Sequence, residues 1–335
     1  MNRRKRLAVI VAAIIIVFVG AFVSYRVAER NRRDNVPKWS GGPLYVYDVF
    51  IGDGIIWCLR YSSHNDNFIL NTCSNEDDEL TIREFSWSDL PVVYNASRSL
   101  FYYVNKSTLM QYDPYNGIES SFCVIGHGRK TITALTDNHI VIRNDDPDKS
   151  ILISLITYEV TEIGRVPNMV LDTYGDKIAF IGVSSNENIV YDCFTQSKTY
   201  LSGIESLTAS SIVGGAVISN SLFYVPGAMQ GFLYVIEEFD SDNIKSPQRV
   251  EAVNRYLISV ASFDDYLVCA FREGYGSGQI PISFYMFHQD EGFYHVATWD
   301  KAHYWNVGSF GMKIENGYLA ACIKTQDNVF VHKLD

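Results

Sequence analysis

One short pattern recurs along most of the chain and limits the folds that are open to it. A turn containing Asn, Asp or Gly is followed by an apolar and aromatic run, as in GDGIIWCL from Gly52 and FDDYLVCAF from Phe263. One apolar residue near the start of each run marks seven units, at Ile55, Leu100, Ile140, Ile178, Leu222, Leu267 and Leu319. Successive markers lie 45, 40, 38, 44, 45 and 52 residues apart. A spacing of about 40–45 residues is typical of a blade in a β-propeller.

Each unit also has a second half, in which an alternating strand, a polar turn and another strand follow one another. In residues 109–122, LMQYDPYNGIESSF, Pro114 presets φ for the turn and Gly117 supplies the positive φ at its end. After residue 35 no stretch of about ten residues combines a helical period with a cap. The sequence therefore predicts an all-β fold of four-stranded antiparallel units.

The predicted blades can be given approximate boundaries. They are 44–87, 91–123, 131–164, 168–202, 207–250, 256–298 and 306–335. The last unit has room for three strands, while LYVYDVFI at 44–51 fits either the first blade or a strand that closes the ring. Six or eight blades remain alternatives. A two-sheet sandwich is the structural runner-up, although seven even repeats would be unusual in one.

On these repeats and turns, the chain from 44 to 335 resembles membrane-anchored or secreted bacterial β-propeller proteins of the broad NHL, TolB or WD40-like kind. The resemblance rests on repeat spacing and turn chemistry, because the sequence has no regular WD dipeptides, no double glycine that recurs from unit to unit as in kelch repeats, and no YVTN tetrad. It implies a propeller fold, assigns no specific family and carries no catalytic residues over to this chain.

A second feature is the unbroken apolar run of residues 7–23, which follows the basic opening MNRRKR. Seventeen helical residues reach about 26 Å, and two more bring the helix near the ~30 Å of a bilayer core. A cleaved signal peptide is the alternative, but it has a shorter apolar region and a small-x-small cleavage site. We predict a basic head at 1–6, an uncleaved transmembrane anchor at 7–25 and a linker at 26–43.

The charges around this run bear on orientation and on partners. Four basic residues stand before the run and four follow at 26–33, so the count of charges does not decide the orientation. The tighter clustering of the first four and the free amino terminus favour a cytoplasmic N-terminus. The predicted propeller then lies outside the cytoplasm. Of the 28 basic and 38 acidic residues, 20 and 36 follow residue 35, which leaves a net charge of −16 there. Such a domain repels nucleic acid, so no nucleic-acid partner is predicted.

Six cysteines occur, all after residue 35, and none forms a C-x-x-C pair. Most lie in apolar runs that are typical of buried, inert thiols. Cys58 and Cys73 flank the polar stretch YSSHNDN, and a hairpin that turns at Asn65–Asp66 would put them opposite each other. A disulfide between them is one alternative, and two free thiols are the other.

The strongest candidate for ligand contact is the aromatic link WDKAHYWNVG at 299–308, between the sixth and seventh units. Aromatic rings beside polar groups suit a sugar or a peptide side chain. The alternative is that the tryptophans pack between blades, which is the commoner use of such side chains. The candidate residues in this link are Trp299, Asp300, His303, Tyr304 and Trp305.

The link IGHGRK at 125–130 is the second candidate. His127 and Arg129 are positive or titratable points on an acidic domain, so they could bind a carboxylate or a phosphate. A solvated turn is the alternative interpretation.

Motifs for catalysis and cofactors are missing from the sequence. It has no G-x-S-x-G elbow and no calcium ladder, and GYGSGQ at 274–279 lacks the Lys-Ser/Thr of a P-loop. We therefore predict no cofactor, no metal and no catalytic residues. The hypothesis is a binding or scaffold module for a protein, peptide or glycan. The alternative is a hydrolase or lyase with its site in the central channel, which unneutralised carboxylates there would favour.

Overall fold

The computed structural model describes residues 44–62, 66–73, 81–167, 169–201, 212–218, 221–226, 231–237, 247–253, 256–274, 280–300, 302, 310–324 and 329–334. The predicted head at 1–6, anchor at 7–25 and linker at 26–43 lie outside these residues. Among the described residues, no helix has the length and apolar character needed to cross a bilayer.

Consecutive strands form separate antiparallel sheets. The first sheet holds β1 (Leu44–Gly52), β2 (Ile55–Ser62), β3 (Asn67–Thr72) and β4 (Thr81–Phe85). The second holds β5 (Val93–Asn95), β6 (Leu100–Asn105), β7 (Thr108–Asp113) and β8 (Ile118–Val124). The third holds β9 (Lys130–Leu135), β10 (His139–Asn144), β11 (Ser150–Ser154) and β12 (Val160–Gly164). The fourth holds β13 (Met169–Tyr174), β14 (Lys177–Ile181), β15 (Ile189–Asp192) and β16 (Ser197–Tyr200).

The remaining sheets continue the same order. The fifth holds β17 (Ile212–Ile218), β18 (Ser221–Pro226), β19 (Phe232–Glu237) and β20 (Gln248–Glu251). The sixth holds β21 (Leu257–Phe263), β22 (Tyr266–Arg272), β23 (Ile282–His288) and β24 (Gly292–Trp299). The seventh holds β25 (Phe310–Glu315), β26 (Tyr318–Ile323) and β27 (Val329–Lys333). Short 3₁₀ turns occupy Trp87–Asp89, Ala96–Arg98, Pro147–Lys149 and Ser185–Glu187.

The predicted division into seven blades is confirmed, and six of the sheets have four strands. Residues 44–51 belong to the first strand of the first sheet, where β1 pairs with β2. They therefore do not close the ring as an added strand of the seventh sheet, which was the other alternative. Within the described residues the seventh sheet has three strands, as predicted from its length.

The second strand of each sheet explains the repeated apolar runs. A strand that is covered on both faces reads as a continuous apolar sequence rather than an alternating one. In β2, Trp57 and Leu59 pack toward the second sheet, while Ile56 and Cys58 pack toward the seventh. The period of two therefore sends successive side chains into two different interfaces.

Seven apolar clusters join the sheets into a closed ring, because each cluster combines residues from two neighbouring sheets. The cluster between the seventh and first sheets contains Val49, Ile51 and Cys58 from one side and Ala320 and Cys322 from the other. The ring is thus closed by side-chain packing between sheets at the two ends of the described chain.

The ring has two distinct faces. We call the turn face the one that carries the hairpin turns after the first and third strands of each sheet. The link face carries the turns after the second strands and the links from one sheet to the next. Sharp turns after the first strands use positive φ, as at Asp53 (50°), Gly54 (75°), Asn316 (50°) and Gly317 (74°).

Candidate functional site

The first strand of each sheet is the inner strand of the ring, and these seven strands surround a cavity of about 690 Å³ along its axis. Its charged lining residues are four carboxylates and one amine: Asp48, Asp137, Asp172, Glu315 and Lys313. The described part of the chain brings no three metal-binding side chains together, at this axis or elsewhere. The channel is therefore acidic, and the roles of its carboxylates decide what it can do.

On the turn face, aspartates of the repeated turn bind the neighbouring sheet. Asp53 accepts hydrogen bonds from Ser99 Oγ at 2.6 Å and from the Tyr115 hydroxyl at 3.2 Å. Asp137 of the third sheet accepts one from Ser97 Oγ of the second. These carboxylates stabilise contacts between sheets, since a hydrogen bond to a charged acceptor is among the stronger ones.

Asp176 has the largest set of such contacts. Its carboxylate accepts hydrogen bonds from Thr136 Oγ1 at 3.2 Å, Asn138 Nδ2 at 3.3 Å and His139 Nδ1 at 3.0 Å. Burial alone would raise the pKa of Asp176, but the bonds from His139, Asn138 and Thr136 hold that pKa below its ordinary value. We call this group of contacts the Asp176 latch, which joins the third and fourth sheets.

Asp172 lies in the channel wall at a β-bulge, where the pairing of β13 with β14 shifts register. Its two oxygens accept hydrogen bonds from the backbone N–H of Thr173 at 2.8 Å and of Val217 at 2.7 Å. Burial raises the pKa of Asp172 to about 6, against the opposing effect of these bonds and of Lys313. Asp172 therefore links β13 to the inner strand of the fifth sheet.

Glu315 is, like Asp172, a channel carboxylate with a raised pKa. Burial and the nearby charge of Asp137 raise the pKa of Glu315, while Lys313 acts in the opposite direction. A carboxyl group with a raised pKa in a cavity has the character of a proton donor.

The aromatic link at 299–308 is only partly described. β24 extends through Trp299, which pairs with Ile282 and is 6 % exposed. The Trp299 ring stacks on Phe330 of the seventh sheet with centroids 5.9 Å apart, so this ring packs between sheets, as the alternative interpretation has it. Asp300 is exposed. His303, Tyr304 and Trp305 lie outside the described residues, and ligand binding by this link stays a prediction.

The link at 125–130 lies on the same link face. His127 and Arg129 are exposed. The backbone N–H of Arg129 donates to Asp145 Oδ2 at 2.9 Å, which fixes the link beside the turn after β10. Lys130 is instead buried, and its Nζ donates to Asn144 Oδ1 at 2.6 Å. Ligand contact by His127 and Arg129 stays a prediction.

Cys58 and Cys73 form a disulfide with their Cα atoms 6.0 Å apart. The two cysteines do not lie directly opposite each other, although the sequence predicted that they would. Cys58 lies opposite Asn71, and Cys73 follows Asn71 by two residues. The hairpin is centred one residue earlier than Asn65–Asp66, and this shift turns a direct pair into a diagonal one. Among the other cysteines, burial raises the pKa of Cys193 and of Cys322 to about 12.

A further surface escaped the sequence reasoning. In the second, third and fourth sheets, the turn between the third and fourth strands begins at Asp113, Ser154 or Asp192. The side-chain oxygen of that residue accepts backbone hydrogen bonds from two and three residues further on, at 2.8–3.3 Å. The residue at the second position is apolar or aromatic and exposed in every case: Tyr115, Ile156 and Phe194. A search for apolar residues two positions after a turn-capping Asp or Ser would have found them.

A closed ring of antiparallel sheets around an axial channel defines this protein as a β-propeller. Its fold is similar to that of the computationally designed Ika8 protein, with a TM-score of 0.54 and 10% identity over 88% of this chain and 98% of that one. The β-propeller domain of Cps50 (Swd1) from Myceliophteria thermophila is similar with a TM-score of 0.52 and 10% identity, over 88% of this chain and 98% of that one. KlHsv2 with loop 6CD replaced by a Gly-Ser linker is similar with a TM-score of 0.52 and 11% identity, over 88% of this chain and 94% of that one. Neither the protein-family models nor the curated proteins gave a match.

Proposed function

We propose that this protein is a single-pass membrane-anchored β-propeller whose ring lies outside the cytoplasm and binds a protein, peptide or glycan ligand. The apolar run of residues 7–23 and its basic flanks support the anchor. The disulfide between Cys58 and Cys73 supports the location, because disulfides persist mainly in oxidising compartments. The closed ring supports binding, because a rigid scaffold holds its surface loops in fixed positions.

The observation that carries binding over catalysis is the way in which acidic side chains near the axis are used. Of the four channel carboxylates, Asp48 accepts a hydrogen bond from the backbone N–H of Val49 at 2.9 Å, Asp137 accepts one from Ser97 Oγ, and Asp172 accepts two from backbone N–H groups. A carboxylate whose oxygens are occupied in this way has fewer lone pairs available to a substrate, so it is a poor nucleophile or base. Ligand contact is therefore proposed for the faces of the ring.

On the link face, we assign ligand contact to the exposed side chains of His127, Arg129 and Asp300, together with His303, Tyr304 and Trp305. The Arg129 guanidinium suits a carboxylate of the ligand, since its fork of N–H groups matches that geometry. Trp299 supports the link from inside by packing on Phe330.

Chemical cross-linking on intact cells that express the full-length protein tests this assignment. We expect a discrete cross-linked product that is lost in the H127A/R129A double variant. Lys333→Ala, at an exposed cation on the outer strand β27, is the matched control and should leave the product unchanged. A product that persists in the double variant contradicts a role for this link. Protease added to intact cells should also degrade the ring, and resistance before lysis would contradict the orientation.

The enzymatic alternative rests on Glu315, whose raised pKa in the channel is the observation in its favour. A glycan or peptide hydrolase of this kind should lose its activity on Glu315→Gln, while Asp265→Asn at an exposed turn should not. Turnover of a mixed glycan or peptide panel that is insensitive to Glu315→Gln would remove this alternative.

A further inference from the structure

We propose that the turn face of the second to fourth sheets is a docking site for a protein segment that carries apolar side chains among lysines and arginines. The proposal rests on the proposed binding function and gives it a surface opposite the link face of His127 and Arg129. We call this site the turn-tip surface, and its residues are Tyr115, Ile118, Ile156, Tyr158, Val160 and Phe194.

The tips of the three turns are exposed at equivalent positions. Tyr115, Ile156 and Phe194 occupy the same place in the same turn of three consecutive sheets and are 43%, 60% and 80% exposed. Single exposed apolar residues are ordinary, but a contiguous set is typical of an interaction site.

Side chains of these turns also contact neighbouring sheets. The Tyr158 ring of the third sheet lies 4.9 Å from the Phe122 ring of the second, with 31° between their planes. Tyr115 in turn donates its hydroxyl hydrogen to Asp53 of the first sheet. The turns of the second and third sheets are therefore each in contact with a neighbouring sheet, and the equivalent turn of the fourth sheet carries Phe194.

A turn after a third strand does not require an apolar tip. In the sixth sheet, His288 Nδ1 accepts a hydrogen bond from the backbone N–H of Asp290 at 3.3 Å, which is the same two-residue relationship. The tip residue there is a charged aspartate. That turn is one residue shorter, because His288 pairs with Gly292 whereas Asp113 pairs with Ile118 and Asp192 with Ser197. It nevertheless shows that a turn after a third strand can carry an exposed polar tip, so the fold alone does not account for the apolar tips of the second to fourth sheets.

Charge complementarity selects the occupant. The turns of these three sheets on this face carry Asp113, Asp137, Glu159, Asp176 and Asp192 against Arg98 and Lys177. The anionic surface of a membrane and a second copy of this acidic chain are both repelled by such a face. A segment with basic residues beside its apolar anchors is attracted and can bury the exposed tips.

The test uses a phage-displayed library of random 15-residue peptides, selected on the full-length protein in detergent. We expect the selected peptides to combine aromatic or aliphatic residues with Lys or Arg. Their Kd should rise at least tenfold in I156S/F194S and should not change in Val183→Ser, an exposed apolar control on the link face. Binding should also weaken with added salt.

Each outcome decides the proposal. If the peptides bind I156S/F194S as tightly as the wild type, the turn-tip surface is not the docking site. If binding is lost in H127A/R129A instead, the surface is wrong while the binding function stands. If the wild type enriches no peptide, the proposal fails, and cross-linking on the link face then decides the binding function separately. Phe194→Lys, at the most exposed tip, is the second variant if the double variant fails to fold, and it should repel the same peptides.

Discussion

The interface between the third and fourth sheets and the interface between the seventh and first sheets hold the ring together by different means. The first combines buried rings such as Phe180 and Tyr191 with the Asp176 latch. The second packs small side chains, Ala320 and Cys322, against the first sheet. Hydrogen bonds are directional and fix the position of one sheet on the next, whereas apolar packing depends on shape and buried area.

The largest expected effect is at the closing interface. Ile51→Ala removes a side chain that is 3% exposed there, and we expect the free energy of unfolding to fall by about 3 kcal/mol. Urea unfolding of the full-length protein in detergent measures it. Val183→Ala, at a residue 67% exposed, should change stability by less than about 0.5 kcal/mol. Equal effects of the two variants would mean that packing does not hold this interface.

The disulfide of the first sheet comes next. Cys58→Ser with Cys73→Ser opens a loop with a sequence separation of 15 residues, which should lower the free energy of unfolding by about 2–3 kcal/mol. The same urea titration applies, and Cys123→Ser at a half-buried free thiol is the control. No difference between the two would show that the covalent link adds nothing to the closing side of the ring.

The Asp176 latch should contribute less. Asp176→Ala leaves the donors of Thr136, Asn138 and His139 without their acceptor, and we expect a loss of about 2 kcal/mol. Because the folded-state pKa of Asp176 is lowered, this stability is present at neutral pH and is lost on acidification. Asp265→Ala at an exposed turn is the control. A latch variant as stable as that control would contradict the comparison.

The smallest effect concerns Asp172 and has the opposite sign with pH. Its folded-state pKa of about 6 lies above the ordinary value of 3.8, so the folded state holds the proton more tightly. Its contribution to the free energy of unfolding should therefore fall as pH rises from 4 to 6, by about 1–2 kcal/mol after allowance for channel water. Melting temperatures at pH 4, 5 and 6 should differ less in Asp172→Asn than in the wild type. Melting temperatures that change with pH by the same amount in both proteins would contradict the raised pKa of Asp172.

Much of the fold could be predicted because each turn before a second strand has its own local signal. Asp53–Gly54 and Asn316–Gly317 favour positive φ by their chemistry, and the buried strands that follow are continuous apolar runs. The register of the β2–β3 hairpin could not be predicted, because the loop between Ser62 and Asn67 allows more than one centre. One residue in that centre separates a direct cysteine pair from a diagonal one.

The candidate site was harder to predict for a related reason. Trp299 is the final residue of β24, and a strand one residue longer than predicted turns its ring into the core. For Phe194 and Ile156, the sequence around the turn gives the backbone conformation but not the direction of the side chain. The turn-capping Asp or Ser marks these positions as candidates, but their exposure also depends on the neighbouring sheets.

The placement of β1 has a mechanical consequence. A pulling force that enters the described chain at Leu44 acts first on β1. Among the described strands, β1 pairs with β2 alone, and its other face packs on the seventh sheet. Peeling β1 away would open the ring at its closing interface. The tear would then meet the covalent bond between Cys58 in β2 and Cys73 just beyond β3. The disulfide would then carry the tension from Cys58 directly to Cys73, so the residues between them, which include the rest of β2 and all of β3, would be shielded from extension.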